Sequence, residues 1–421
     1  MRLATTLALL VALPLTSTVA VKPEDGCVLV SGATGFVAGH TIEVLLSKGF
    51  TVHGTVRSLE DEHKYSFLRE IEDEMPGSLE LFEADILEPK SFDQAAKGCS
   101  SMLHIASAVV TAGLNPQTVV DTAVAGTRAA LDTAKKHQFK ALVVTSSVAT
   151  IFPDKDRLEK LGKDYPPATE ADWNTFAQPD FGTYAYSKVM AEKSTLQWLD
   201  ENEHDFRYAS VHFPFAIGPQ QAMRVTSSNL LVKVALSGEL PLALPLRSSI
   251  VDVRDVARAH VHLLEQEAAK GRYIVALDPD GGSSTNPRDC MNILKRGFPD
   301  SPIPIFQYEL PTWAAKILSK IDSRVDVAQI SMSDYFDKHP GYIGTRIVDE
   351  LGFEYKYTNT SETILDAGQS MVDLGIVDFD NQTVNPVIVA FMASPLLGLI
   401  VLGILYTVCC STGVRLKEKK N

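Results

Sequence analysis

Cysteine is scarce and never spaced as CxxC. Only five cysteines occur in 421 residues, which excludes zinc knuckles and thioredoxin-like dithiols. There is no HExxH, and no other His, Cys or carboxylate cluster has metal-ligand spacing, so no metal is expected. Positive charge is also in short supply. Lys and Arg number 39 against 52 Asp and Glu, for a formal net charge of −13. A nucleic-acid partner is therefore not expected, because phosphate binding needs a concentrated basic surface. No internal repeat and no low-complexity linker interrupts the chain. With 45% hydrophobic and 22% charged residues, the composition is globular, neither disordered nor collagen-like nor that of a small disulfide scaffold. The length suggests two or three domains.

Charge is nearly absent from two stretches near the ends. Met1–Ala20 has one basic residue, an uncharged apolar run and small residues before Val21. This is the pattern of a secretory signal peptide, cleaved after Thr18-Val19-Ala20. Pro386–Cys410 has no charged residue. About two dozen residues at 1.5 Å each can cross a hydrocarbon core of ~30 Å, so 386–410 is expected to be a transmembrane helix. Arg415, Lys417, Lys419 and Lys420 follow it, which puts the tail, 411–421, in the cytosol. The signal peptide puts the body, 21–385, in the lumen. Lys417 and Lys419 resemble the KxKxx dilysine retrieval signal that coat proteins recognise, although a basic stop-transfer flank also favours lysine. The expectation is a single-pass protein of the endoplasmic reticulum membrane. Two N-x-S/T sequons, at Asn359 and Asn381, fall on the lumenal side. Asn359 is the better glycosylation acceptor, because Asn381 crowds the membrane.

The body alternates short apolar runs with helical periodicity. CVLVSG, TVHGTVR, LELFE, SMLHIAS and ALVVTSS read as five strands with helices between them. Such alternation predicts an α/β fold, a Rossmann-type doubly wound parallel sheet covered on both faces. Residues 21–215 are expected to form the dinucleotide-binding domain, with a return segment at about 250–276. Residues 216–385 are expected to form mainly a smaller substrate-binding domain, including the aromatic- and proline-rich Leu310–Tyr342.

The first strand runs into a glycine loop that opens a helix. In Ser31-Gly32-Ala33-Thr34-Gly35-Phe36-Val37, Gly32 permits a tight turn and Gly35 lets the backbone approach a pyrophosphate. The helix N-terminus supplies N–H donors for the anion. Gly32, Thr34, Gly35, Phe36 and Val37 are thus cofactor-binding candidates. An NAD site usually carries a carboxylate at the end of the second strand. Here no carboxylate appears before Glu60, and Arg57 stands in its place. Arginine takes a 2′-phosphate through bidentate, charge-assisted bonds, so the expected cofactor is NADPH. Lys64 reads as solvated.

Chemistry is expected from Tyr184-Ala185-Tyr186-Ser187-Lys188. Positions i and i+4 share a helix face, so Tyr184 and Lys188 lie together and Tyr186 points elsewhere. The lysine charge lowers the phenol's proton affinity and makes Tyr184 a general acid for a carbonyl oxygen. The fifth predicted strand ends in Thr145-Ser146-Ser147, at the sheet edge where ligands bind, and a serine there can hold that oxygen. His104 reads as a core histidine, and Asp255, before VARAH, as a helix N-cap.

SGATGFVAGH, GTVR, EADI, LHIAS, VAGTRAAL, VVTSSVAT, YAYSK, HFPFAIGP, VDVRDVARAH and ELGFEY together resemble the extended short-chain dehydrogenase/reductases. Within them the chain is most similar to the dihydroflavonol reductase-like branch and its fungal NADPH-dependent methylglyoxal and carbonyl reductases. The resemblance covers roughly Cys27–Gly375. Ala38 replaces a glycine of the usual extended pattern, as it does in those fungal enzymes. The resemblance implies Ser147, Tyr184 and Lys188 as the catalytic set. It also implies Asp85 and Ile86 beside the adenine and Pro214 near the nicotinamide. It implies NADPH-dependent reduction of a ketone or aldehyde. A 3β-hydroxysteroid or sterol dehydrogenase stays open as an alternative that suits a membrane-tethered enzyme. A nucleotide-sugar epimerase or dehydratase fits less well, because Ser146-Ser147 follows Thr145 where sugar dehydratases carry Asp-Glu, and because Arg57 disfavours NAD.

Cys409 and Cys410 fall at the cytosolic end of the expected span, placed for acylation. Cys27 and Cys99 fall at the starts of strands that are neighbours in a 3-2-1-4-5 order. Two buried thiols acting as small hydrophobes are the preferred reading, with a Cys27–Cys99 bridge as the alternative and Cys290 free.

Overall fold

The computed structural model describes residues 20–379, except 108–114, 153–159, 161–166, 180, 227, 240–242, 246–248, 278–285, 304–308, 310 and 319–340. The strands are β1 (Cys27–Val30), β2 (Thr51–Val56), β3 (Ser78–Glu83), β4 (Cys99–His104), β5 (Ala141–Thr145), β6 (Arg207–His212), β7 (Phe215–Ile217), β8 (Ile250–Asp252) and β9 (Gly271–Ile274). The helices are α1 (Phe36–Ser47), α2 (Ser66–Asp73), α3 (Phe92–Ala95), α4 (Pro116–Lys136), α5 (Thr183–Glu201), α6 (Asn229–Leu236), α7 (Val253–Glu265), α8 (Pro287–Gly297), α9 (Thr312–Leu318), α10 (Arg346–Leu351) and α11 (Thr360–Asp373).

Seven strands form one sheet in the order β3-β2-β1-β4-β5-β6-β9, and every described pairing in it is parallel. This is the doubly wound sheet expected from the alternation of strands and helices. Alternate residues of each strand serve opposite cores, because side chains change face at every position. Val28, Val30 and Val143 join Ile42 and Leu46 of α1 and Val256 and Leu263 of α7. Leu29, Leu142 and Val144 join Phe92 of α3, Leu131 of α4 and Trp198 of α5. The sequence order reverses between β1 and β4, so a crevice opens there at the carboxyl ends of the strands.

A separate cluster binds α6, α8 and α11 through Val232, Leu236, Met291, Leu294, Ile364 and Met371. Buried Cys290 belongs to it as a free thiol, and burial pushes its proton affinity up to about 12. Of Leu310–Tyr342, residues 310 and 319–340 lie outside the described residues, as do Asn381, Cys409, Cys410, Lys417 and Lys419. Among the described residues no helix is long and apolar enough to cross a membrane. The expected span, 386–410, and residues 1–19 of the expected signal segment lie outside them.

Two expectations are corrected here. Cys27 and Cys99 are bridged, not free thiols, with Cα atoms 4.0 Å apart. The two residues are register partners on adjacent parallel strands, and a register shift follows Cys27. That irregularity brings both sulfurs to one face, which strand periodicity does not foretell. His53 lies beside them, Nδ1 3.4 Å from Cys27 Sγ, and Nδ1 also lies 2.7 Å from the Ala95 carbonyl. The N-cap of α7 is Asp252, whose carboxylate accepts from Arg254 N at 2.8 Å; it is not Asp255. Asp255 lies one turn inside the helix, fully buried. It pairs with Arg258 and accepts the backbone N–H groups of Lys356 and Tyr357. Its charge therefore fastens the ELGFEY segment to the core.

Candidate active site

The crevice begins at the glycine loop. Gly32 has φ +70°, and a Cβ there would lie 3.0 Å from the Ala106 side chain. A Cβ on Gly35 would lie 3.1 Å from the Gly32 carbonyl. The loop is pinned from below, since Gly32 N donates to Thr55 Oγ1 at 3.2 Å and Ala33 N to Thr55 O at 2.8 Å. α1 starts at Gly35 without a side-chain cap, so its first N–H groups are left for a ligand. Thr34 and Gly35 are exposed, while Phe36 and Val37 are half-buried. Ser31 fixes the opposite wall. Its Oγ accepts from Ile105 N and Ala106 N, each at 3.0 Å, and lies 3.1 Å from His104 Nδ1. Burial, and then the charge of Lys188, pull the His104 proton affinity down to about 3. His104 is thus a neutral core histidine.

Arg57 leaves the end of β2 exposed and makes no hydrogen bond or ion pair with a described residue. The loop behind it is tied down, with Leu59 N donating to Glu83 Oε1 at 2.7 Å. Lys64 pairs with Asp61 at 2.9 Å on the surface. Asp85 is exposed, and its Oδ1 accepts from Leu87 N at 2.9 Å, closing the turn that holds Ile86 over the crevice.

Ser147 follows β5 in extended backbone and caps a short 3-10 turn, Val148–Thr150. Its Oγ accepts from Ala149 N at 3.1 Å, which leaves the hydroxyl hydrogen available to a ligand oxygen. The turn packs against α5, which starts at Gly182 with φ +73°. Tyr184, in the first turn, is 36% exposed, whereas Lys188 is 8% exposed. Lys188 Nζ lies 5.9 Å from the Tyr184 ring centre, so the i, i+4 spacing does bring the phenol and the ammonium together. Pro214 is buried between β6 and β7. Its neighbour Phe213 accepts from Val148 N at 3.4 Å, which places that loop beside the serine turn.

Sequence reasoning missed the group behind these residues. Ser146 Oγ donates to Glu192 Oε2 at 3.1 Å, and Glu192 Oε1 lies 2.7 Å from Arg272 Nε. His212 Nδ1 lies 3.1 Å from the Ser147 carbonyl. One signal was present: Glu192 follows Lys188 by one helical turn, so it shares that face. Arg272 and His212 come from distant strands and carry no local signature.

The Gly32–Gly35 cradle, the uncapped start of α1 and the free Arg57 fit a dinucleotide with a 2′-phosphate. The profile of the family described as "NAD dependent epimerase/dehydratase family" matches residues 28–276. Cinnamoyl-CoA reductase 1 of Petunia hybrida is 33% identical over 282 residues, which are 66% of this chain and 79% of that protein. Yeast methylglyoxal/isovaleraldehyde reductase Gre2, complexed with NADPH, superposes with a TM-score of 0.63 at 25% identity. It covers 83% of this chain and 100% of that chain. Gre2 of Candida albicans in complex with NADPH gives 0.63 and 25%, covering 83% and 99%.

Proposed function

Because the chain belongs to the NAD dependent epimerase/dehydratase family, we propose that it is an NADPH-dependent oxidoreductase that reduces a ketone or aldehyde to an alcohol. The observation that carries this reading is the pairing of buried Lys188 with half-open Tyr184 on the helix against which the Ser147 turn packs. When bound, NADPH supplies a hydride equivalent. Gly32, Thr34, Gly35, Phe36 and Val37 would hold its pyrophosphate and Arg57 its 2′-phosphate, with Asp85 and Ile86 on the adenine side and Pro214 on the nicotinamide side. Ser147 Oγ–H donates to the carbonyl oxygen and orients it. Tyr184 Oη–H gives that oxygen its proton as it becomes an alcohol. The Lys188 ammonium stabilises the phenolate left behind.

Removing a general acid typically costs about 10²–10⁴-fold in rate. Tyr184→Phe should lose turnover by that order while still binding NADPH, read by NADPH absorbance with a panel of ketones and aldehydes and by fluorescence titration of NADPH. Wild-type turnover in this variant would overturn the assignment.

In the same reading the body faces the lumen of the endoplasmic reticulum. The segment 386–410 anchors it, and Lys417 and Lys419 are offered to a coat protein. The Cys27–Cys99 bridge supports this reading, since disulfides persist in oxidising compartments. Asn359, the better acceptor of the two sequons, is exposed as the N-cap of α11, with its Nδ2 donating to Glu362 Oε1 at 2.7 Å. Protease protection of the body in sealed microsomes, with digestion of a tag on the tail, is the expected result. A body digested without detergent would refute the topology.

A further inference from the structure

We propose that Glu192 is a positioning residue for this reduction, a buried carboxylate that holds the serine turn against α5 and opposes the cationic charge around Tyr184 and Lys188. The inference rests on the reading of Tyr184 as proton donor.

Glu192 is 5% exposed and lines the same cleft as Lys188, Ser146 and His104. One carboxylate oxygen accepts the Ser146 hydroxyl at 3.1 Å, and the other meets Arg272 Nε at 2.7 Å. Arg272 in turn donates to Thr150 Oγ1 at 3.1 Å and to the carbonyls of Glu170 and Asp172, both at 2.7 Å. Its guanidinium lies 4.3 Å from the centre of the Trp173 ring. His212 completes the frame. Its Nδ1 lies 3.1 Å from both the Ser147 carbonyl and Thr150 Oγ1, and its Nε2 lies 2.9 Å from Ser210 Oγ and 3.5 Å from Glu192 Oε1. Ser146 is thus held by Glu192, Ser147 by His212, and Thr150 by both Arg272 and His212. β5, β6 and β9 are locked to the helix that carries the proton donor.

The charges explain why a carboxylate stands there. A fully buried ion pair is a poor source of stability, because desolvation offsets the attraction. Around Glu192, β4 presents His104, β6 presents Tyr208 and His212, β9 presents Arg272, α5 presents Lys188 and Tyr184, and the segment before α5 presents Glu170. Burial keeps both histidines neutral and the Tyr208 phenol protonated. The carboxyl of Glu170 is also pushed up by burial. The fixed charges of this described group are therefore the cations Lys188 and Arg272 and the anion Glu192. Without Glu192, Arg272 would stand behind the serine turn as a second cation with no opposing charge in this group.

Reduction needs Tyr184 protonated, so kcat falls at high pH as the phenol ionises. Glu192 stands two turns along α5 from Tyr184, about 12 Å. At that distance and an effective dielectric of about 20–40, neutralising one charge moves a proton affinity by about 0.5–1 pH unit. In the full-length enzyme, Glu192→Gln should shift the alkaline limb of kcat down by that amount. Arg272→Gln should shift it up. Ser146→Ala, which keeps both charges, should lower kcat and leave the limb in place. A titration of tyrosinate absorbance, wild type minus Tyr184→Phe, should move with the same signs without turnover being involved. Equal profiles in all variants, or shifts of one sign in both charge variants, would overturn the inference. So would a Glu192→Gln protein that folds and keeps the wild-type limb. If Tyr184→Phe itself kept full turnover, the underlying reading would fail instead. Should Glu192→Gln fail to fold, Arg272→Gln and Ser146→Ala still decide the question.

Discussion

Arg57 is the side chain on which the proposed preference for NADPH over NADH rests. It stands exposed at the carboxyl end of β2, with no described partner to satisfy its guanidinium. The loop after it is anchored to β3 by the Leu59–Glu83 hydrogen bond. The arginine is therefore held in place by its backbone and left free at its tip, which suits an incoming phosphate. A charge-assisted hydrogen bond is worth about 1.5–3 kcal/mol, or roughly tenfold to a hundredfold in affinity. Arg57→Ala should weaken NADPH binding by that factor and barely change NADH binding, since only NADPH carries the 2′-phosphate. Fluorescence titration with both cofactors checks this. Equal losses for the two would place the phosphate elsewhere.

At the level of elements, local patterns were legible and long-range partners were not. The glycine loop and the Tyr184–Lys188 spacing are written within a few consecutive residues. The five strands before α5 could be read directly, because each is a short β-rich run: β1, and β5 up to Thr145, are apolar and buried on both faces, while the edge strand β3 alternates buried and exposed residues. The role of Asp255 was not legible. Helix-start chemistry favours aspartate equally at Asp252 and Asp255, and only the fold shows which one meets the backbone of residues 356 and 357. The same blindness hid Glu192, Arg272 and His212, whose meeting depends on the sheet order. Asp255→Asn should therefore act as a core lesion, not a cap lesion. It removes the anion opposite Arg258 and weakens acceptance, by a buried carboxylate, from the backbone N–H groups of Lys356 and Tyr357, for a loss of about 2–4 kcal/mol. Urea unfolding of the purified protein measures it. A loss of only a few tenths would mean that the ELGFEY segment is held by other contacts.

For the whole molecule, the seam between β1 and β4 matters most. On one side lie β2 and β3, and on the other β5, β6 and β9. At the carboxyl ends of these strands the seam opens as the ligand crevice, with Gly32 against Ala106. At the amino ends the Cys27–Cys99 bridge closes it covalently across 72 residues of chain. The two poles divide the work, with a fixed closure below and an open cleft above. A closed loop of this length stabilises mainly by restricting the unfolded chain, typically by about 2–4 kcal/mol. The double variant Cys27→Ser/Cys99→Ser should lower the unfolding free energy of the purified body by that amount. Because the bridge lies at the edge of the sheet remote from Ser147, Tyr184 and Lys188, turnover of the folded fraction at 25 °C should stay near wild type. Unfolding monitored by circular dichroism, with NADPH oxidation assayed on the same samples, separates the two effects. A variant that stays folded but loses turnover would show that the crevice depends on the bridge, and the separation of the two poles would then be wrong.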